Sequence, residues 1–350
     1  MLPRELPLAI YMEDAMSGPS GKMGFGVLRY SPNPVVAVID STQTGRDAAE
    51  FGPWRSCPIV SGLEEAKGLG AKVLVLGIAP SGGLIPEIWY PDLDRAVAYG
   101  LGLVNGLHDS LSPRYPDLPD MPTADGPFVW DIRREPAGLA PGTGAAASLP
   151  CRRLLLVGTD MAVGKMTAGL EIHRLALETG VRSEFVATGQ IGITVTGTGV
   201  PLDAIRVDFS TGAVEREVLR AGAEVGPDGL VIIEGQGSLV HPGSTATLPL
   251  LRGGCPTHLI LCLRAGQTTL RDYSRIALPP LGALCRLYED LAEGAGAFPR
   301  PKTVAAAVNT SHLDDEEAER AVRAVEAELG LPAVDPVRHG AERLVRAVMG

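Results

Sequence analysis

Residues 154–167, LLLVGTDMAVGKMT, run from an apolar stretch through a glycine-bearing turn into a helical pattern that opens on Lys165. A strand that turns into a helix in this way gathers backbone N–H groups and the positive end of the helix dipole at one point. Lys165 adds a full charge there. The stretch predicts a phosphate-binding loop for an anionic ligand of the pyrophosphate kind. The GxxxxGK[ST] spacing would ask for glycine at Thr159 and a hydroxyl at Met166. Here the glycine comes one place early, at Gly158, and the hydroxyl one place late, at Thr167. Gly164 and Lys165 keep the core of the motif, so ligand contacts are expected from Gly158, Thr159, Asp160, Gly164, Lys165, Met166 and Thr167. The displaced hydroxyl leaves magnesium ligation and hydrolysis of the ligand open.

A chain of 350 residues is long enough for two domains with separate cores. Aromatic residues are scarce, and Ala, Gly, Val and Leu dominate, the composition of stacked strands and helices. A net charge of -10 with no basic stripe argues against a nucleic-acid partner. Cys57, Cys151, Cys255, Cys262 and Cys285 are scattered and lack CxxC spacing, so no zinc or redox site is expected and reduced thiols are. The N-terminus has no sustained apolar h-region, and no apolar run reaches membrane-spanning length. These features predict a cytoplasmic protein with no membrane partner.

Residues 135–150, EPAGLAPGTGAAASLP, have no hydrophobic period and are rich in Pro, Gly and Ala, as linkers are. The expected organisation is a first domain over 1–135, a linker over 136–150 and a second domain over 151–350. In the first, short apolar runs at 7–12, 35–39, 73–76, 102–104 and 128–132 alternate with helical patterns such as 93–99, a small βα sheet. In the second, strands are expected near 154–157, 184–187, 204–207, 230–233, 258–263 and 303–308, giving a doubly wound parallel α/β sheet. Ligands of such sheets gather at the carboxyl ends of the strands, so the loops after Val157, Ala187, Ile233, Leu263 and Val308 should converge. Residues 314–329, DDEEAERAVRAVEAEL, read as an amphipathic helix with a solvated charged face.

The candidate chemistry lies in those loops. EGQGSLVHPG follows the strand at 230–233: Glu234 leaves a buried strand end, and Gly235, Gln236 and Gly237 let backbone approach a ligand closely. Glu234 could accept a proton or hold a metal, or cap its own turn. His241 is the histidine best placed for proton transfer, since imidazole titrates near neutrality. TGQIGITVTGTG, residues 188–199, reads as a loop of backbone and hydroxyl donors around Gln190. Asn309 ends a strand where related nucleotide folds read a base edge. In the first domain, STQTGR offers Arg46, GIAPSGG is a second glycine-rich loop, and GLHD sets His108 beside Asp109.

These stretches carry a resemblance. GTDMAVGKMT and EGQGS are similar to the phosphate loop and the later EGxGG loop of dethiobiotin synthetase and its relatives. The series GIAPSGG, GLHDSL, DIR, GTDxxVGKMT, GQIGI and EGQGSLxHP resembles, nearly end to end, the D-glutamate N-acetyltransferase family. The resemblance implies a Rossmann-like N-terminal domain, a P-loop NTPase-like C-terminal domain, and acetyl transfer from acetyl-CoA to the amine of D-glutamate. The family's loop maps onto Gly158, Gly164 and Lys165, and its EGQG loop onto Glu234 to Gly237. Met161 stands where many relatives carry cysteine or another small residue, so a covalent role there is closed to this chain. On this reading Lys165 clamps coenzyme phosphates, His241 or Glu234 takes the amine proton, and Arg46 or Arg264 binds substrate carboxylates, with Gln190 and His108 also at the substrate. A homo-oligomer is expected. The rival readings are an ATP- and magnesium-dependent ligase of the dethiobiotin synthetase type and a nucleotide-sensing module without turnover.

Overall fold

The structure, a computed structural model, describes residues 2–80 and 82–350. Ser81 of the GIAPSGG loop lies outside them. Continuous apolar runs form strands buried on both faces, as parallel strands covered by helices are. In chain order come β1 (Leu8–Tyr11), α1 (Lys22–Tyr30), β2 (Val35–Ile39), β3 (Ile59–Val60), α2 (Leu63–Gly68), β4 (Val73–Leu76), α3 (Tyr90–Ala98), β5 (Gly102–Asn105) and β6 (Val129–Asp131). There follow β7 (Arg152–Gly158), α4 (Lys165–Glu178), β8 (Ser183–Val186), α5 (Gln190–Thr196), α6 (Val207–Val225), β9 (Leu230–Ile233), α7 (Thr247–Gly254) and β10 (His258–Arg264). The chain ends with β11 (Thr269–Leu270), β12 (Tyr273–Ala277), α8 (Leu281–Glu293), β13 (Lys302–Asn309), α9 (Asp315–Leu329), β14 (Ala333–Val334) and α10 (Glu342–Met349).

Two compact units result: Met1–Glu135 with Gly189–Ala204, and Pro136–Thr188 with Ile205–Gly350. The first holds a parallel sheet in the order β3-β2-β1-β4-β5-β6, the Rossmann order, in which the direction of strand succession reverses between β1 and β4. The second holds a parallel sheet in the order β14-β13-β10-β7-β9-β8. The connection through α4 carries the chain from β7 to the β8 edge, and the connection through α7 returns it past β7 to β10. The carboxyl end of β7 is therefore the switch point of this sheet. The protein is an α/β chain with a Rossmann-like and a P-loop-type sheet, as its sequence leads one to expect.

Several local readings change. Residues 204–207 are not a strand: a short 3-10 turn at Leu202–Ala204 leads into α6, whose first turn carries Asp208. Four residues, AIRV, fit a helix start as well as a strand, and the carboxylate near the helix N-terminus favours the helix. TGQIGITVTGTG is no open loop, because Gln190–Thr196 forms α5, which packs on α1 in the first unit. Residues 136–150 lie along α6, where the Thr143 N–H and Oγ1–H donate to Glu215 Oε2 at 2.8 and 2.9 Å. The helix expected at 314–329 forms with Asp314 as its cap: Asp314 Oδ1 accepts from the Glu317 N–H at 2.8 Å, and Gly330 closes the helix in the left-handed region.

The loop after β5, which carries His108, is pinned by Asp131 at the end of β6. Its two oxygens accept from Asn105 Nδ2 at 2.8 Å, the Leu111 and Ser112 N–H groups at 2.9 Å, Ser110 Oγ at 2.5 Å and Ser112 Oγ at 2.6 Å. Burial pushes its pKa up, but these donors outweigh it and hold the carboxyl below its ordinary value. Asp131→Ala should cost about 2–4 kcal/mol of stability, seen as earlier urea unfolding. A depressed carboxyl contributes stability in full above the ordinary aspartate pKa and loses it as pH falls through the depressed value. The gap between wild type and variant should accordingly close in acid.

Candidate functional site

β7 ends in Gly158, and the Thr159 N–H donates to Cys262 O at 3.0 Å, tying the loop entry to β10. Between Thr159 and α4 the backbone turns back through left-handed conformations at Ala162 (φ 55°) and Gly164 (φ 103°). The turn at Gly164 sets Lys165 as the first residue of α4, so the N–H groups of Lys165, Met166 and Thr167 fall in the first helical turn and have no helical acceptor. Met166 and Thr167 are half-buried there. Lys165 is 6% exposed, and its Nζ donates to Asp160 O at 2.8 Å. Burial lowers its pKa to about 8, with the charges of Asp160 and Glu234 acting in the opposite sense.

The EGQG loop lies against this turn because Gly235 has no side chain. A Cβ there would stand 1.6 Å from Leu156 O and 2.8 Å from Lys165 Cδ, so any larger residue would lift the loop off β7. Glu234 is buried at the end of β9, where its N–H donates to Val186 O at 3.0 Å and its Oε2 accepts from the Thr188 N–H at 2.8 Å. Gln236 O accepts from Thr247 Oγ1 at 3.1 Å. Two further bonds join the loops: Ser238 Oγ donates to Thr159 O at 3.2 Å, and Tyr288 Oη donates to Gly158 O at 2.7 Å while accepting from the Leu239 N–H at 3.2 Å.

His241 is buried, its ring edge-on to Tyr273 with centroids 5.3 Å apart. Its Nδ1 accepts from the Gly243 N–H at 3.1 Å, which assigns the proton of the neutral ring to Nε2, 4.0 Å from Asp160 Oδ1. Asp160 is the hub of the arrangement. Oδ1 accepts from the Met161 N–H at 2.6 Å, and Oδ2 accepts from Gln267 Nε2 at 2.6 Å and the Arg271 N–H at 2.8 Å. Gln267 precedes the two-stranded β11–β12 ribbon and Arg271 sits in its turn, a feature too short to show in hydrophobic periodicity. Their part in the site had no signal in the sequence beyond their place after a strand end.

A cleft of about 300 Å³ opens beside the loop. Asp160, Met161, Ala162 and Val163 line one side, Arg264 to Gln267 another, with Thr269, Arg271 and His312. Arg264 and Asn309 sit in register at the ends of β10 and β13, and Asn309 Oδ1 accepts from the Ser311 N–H at 3.1 Å. Thus Gly158 to Thr167, Glu234 to Gly237, His241, Arg264 and Asn309 gather at one sheet edge. Glu234 and His241 lie under the loops rather than on the cleft lining. Gln190, His108 and Arg46 belong to the first unit. There Gln190 opens α5 near Gly106, and His108 is exposed against Gly83. The Arg46 guanidinium bonds Glu50 and Gln43 at 2.9 Å and stacks on Phe51. A separate cleft of that unit, about 330 Å³, is lined by Tyr11, Glu13, Ser41, Asp92 and Arg95 among others.

The depressed lysine gives a stability test. A Lys whose folded pKa lies below its unfolded value opposes folding in full below about pH 8, and this penalty fades as pH rises toward the ordinary lysine value. Lys165→Met should therefore raise the stability of the ligand-free protein at pH 7 by roughly 1–3 kcal/mol, with the gain shrinking by pH 10. The same variant should lose affinity for phosphate-bearing ligands, measurable by calorimetry.

Comparison with known proteins assigns both domains to families. Residues 140–345 match a family model described as the P-loop domain DUF1611_C, a domain of unknown function, and residues 41–135 match its Rossmann-like partner DUF1611_N. A protein of Tritonibacter scottomollicae named D-glutamate N-acetyltransferase is 38% identical over 98% of each chain. One of the same name from a Pseudoalteromonas species is 34% identical, over 83% of this chain and 86% of that one. The crystal structure of a DUF1611 family protein from Anabaena variabilis superposes with a TM-score of 0.91 at 48% identity, covering 99% of both chains. Among the described residues no helix is long and apolar enough to cross a membrane. A Rossmann-like sheet followed by a P-loop sheet, matched over nearly the whole length, makes this chain a member of the DUF1611 family.

Proposed function

We propose that this protein is an N-acetyltransferase that moves an acetyl group from acetyl-CoA to the amine of an amino acid, D-glutamate being the first acceptor to test. The observation that carries the reading is a relative of that name, matched over 98% of both chains, in a chain that keeps Gly164, Lys165 and the close-packed Gly235. The phosphate loop suits the diphosphate of coenzyme A. Its first helical turn offers N–H donors and Lys165 a charge, and binding alone requires neither a γ-phosphate nor a metal hydroxyl ligand at Met166.

In the reaction, the amine nitrogen attacks the thioester carbonyl carbon, a C–N bond forms and the C–S bond breaks. The amine loses a proton, and the coenzyme leaves as the thiol. His241 and Glu234 are the two candidates to take that proton. His241 would take it at Nδ1 by giving up the bond from the Gly243 N–H, the ring's new charge then facing Asp160 Oδ1 4.0 Å from Nε2, and Glu234 would take it on a carboxylate fixed by the Thr188 N–H. Backbone N–H groups at the glycine turns would stabilise the carbonyl oxygen as it gains charge.

The test is to incubate purified protein with acetyl-CoA, or with magnesium-ATP, and a panel of D- and L-amino acids, and to follow products by mass. The expected product is an N-acetylated acidic amino acid with equimolar coenzyme A. Release of ADP without acetylated product would overturn the proposal in favour of a ligase. In the transferase, His241→Asn or Glu234→Gln should lower kcat about 10²-fold or more at little-changed KM for whichever residue takes the proton.

A further inference from the structure

Arg264 leaves β10 with its side chain half-buried in the cleft, and among the described residues its guanidinium makes no hydrogen bond or ion pair. Other sequestered arginines have partners. Arg153 donates to the carbonyls of Cys255, Leu149 and Cys151, and Arg55 to those of Leu28, Ser31 and Asn33, while Arg133 has a carboxylate, Asp203, at 2.9 Å although its Nε makes no well-aligned hydrogen bond. Partial burial of a guanidinium with no acceptor is unfavourable, and a bound anion would relieve that cost.

The surroundings favour such an anion. Arg271 and His312 share the cleft lining with Arg264. Asp160 is the lining's carboxylate, and its oxygens already accept from the Met161 N–H, Gln267 Nε2 and the Arg271 N–H. Residues 160–163 form part of the cleft and belong to the phosphate loop itself, so this second cationic position adjoins the first at Lys165. Two neighbouring anion sites match a ligand whose anionic groups branch. ATP carries its phosphates in one chain, whereas coenzyme A bears a diphosphate on the 5′ carbon and a phosphate monoester on the 3′ carbon of one ribose.

We infer that the cleft beside the phosphate loop is a subsite for the ribose 3′-phosphate of coenzyme A, with Arg264 as its principal partner. The inference rests on the coenzyme reading of the loop, and it assigns Arg264 to the donor rather than to the acceptor's carboxylates.

Binding to the full chain tests it without recourse to turnover. Titration calorimetry would compare coenzyme A with dephospho-coenzyme A, which has a hydroxyl in place of the 3′-phosphate, on wild type and on Arg264→Ala, Arg264→Gln and Lys165→Ala. Wild type should bind coenzyme A at least about tenfold more tightly than the dephospho form. Both Arg264 variants, folded as judged by unchanged melting, should bind the two ligands within about twofold of each other. Lys165→Ala should weaken both and keep the ratio. Equal affinities in wild type, or a ratio that survives both Arg264 variants, overturn the subsite while leaving the transferase proposal standing. Failure of wild type to bind either coenzyme overturns both.

Discussion

A buried ammonium whose hydrogen bond goes to the carbonyl of a nearby loop residue governs the second unit. Lys165 sits at the start of α4 with its Nζ on Asp160 O, and its pKa is pulled down to about 8 by loss of water. Such a group opposes folding, so the structure around it must over-determine its position. That is what the surrounding bonds do. Tyr288 holds Gly158 O, Ser238 holds Thr159 O, and Gln267 with the Arg271 N–H holds the carboxylate of Asp160, so the loop is fixed from three later elements of the chain. A lysine kept short of water and short of carboxylate partners has much to gain from an arriving phosphate.

The same constraint explains why the EGQG loop needs its glycines. Gly235 lies so close to Leu156 O and Lys165 Cδ that the loop, the strand and the lysine stem form one packed layer. Glu234 is drawn into that layer and fixed by the Thr188 N–H. Its carboxylate therefore adds to the field that keeps Lys165 from neutralising further, a contribution separate from any part in proton transfer.

The parts of this architecture legible in the sequence are those where one short segment holds the whole signal. LLLVG followed by GK gives strand, turn and helix in fourteen residues, and VLVL or LVII, short, rich in β-branched residues and bounded by turn residues, read as strands covered on both sides. What stays hidden depends on partners far away in the chain. The strands β3 and β14 are two residues long, beneath any period, and α1 carries two glycines in KMGFGVLRY that dilute its helical pattern. GQIGITVTG reads as loop because β-branched residues and glycine weaken helix propensity, and only packing on α1 makes it a helix. The burial of His241 and Glu234 beneath the loops, and the tie of Asp160 to Gln267 and Arg271, arise from contacts that span from 46 to 111 residues of chain.

Charge distribution then separates ligand sites from structural pairs. In an acidic chain exposed arginines find carboxylates readily: Arg300 meets Asp290 and Glu293, Arg323 meets Glu319, and Arg343 meets Glu326. Exposed pairs of this kind contribute little to stability. A cation that stays unpaired while half-buried, in a chain with a net charge of -10, is the less expected condition, because the surface supplies an excess of acceptors. Arg264 meets that condition at the end of β10, while Lys165 is buried at the start of α4 with a carbonyl in place of a carboxylate partner; β10 pairs directly with β7, the strand that leads into the lysine's loop. Parallel pairing brings the carboxyl ends of β7 and β10 to the same edge, so the loop that leads to Lys165 and the strand end that carries Arg264 open on the same side of the sheet. The subsite inferred for a branched anion draws on that shared edge, whereas a single phosphate chain would engage the second cation only by bending back along it.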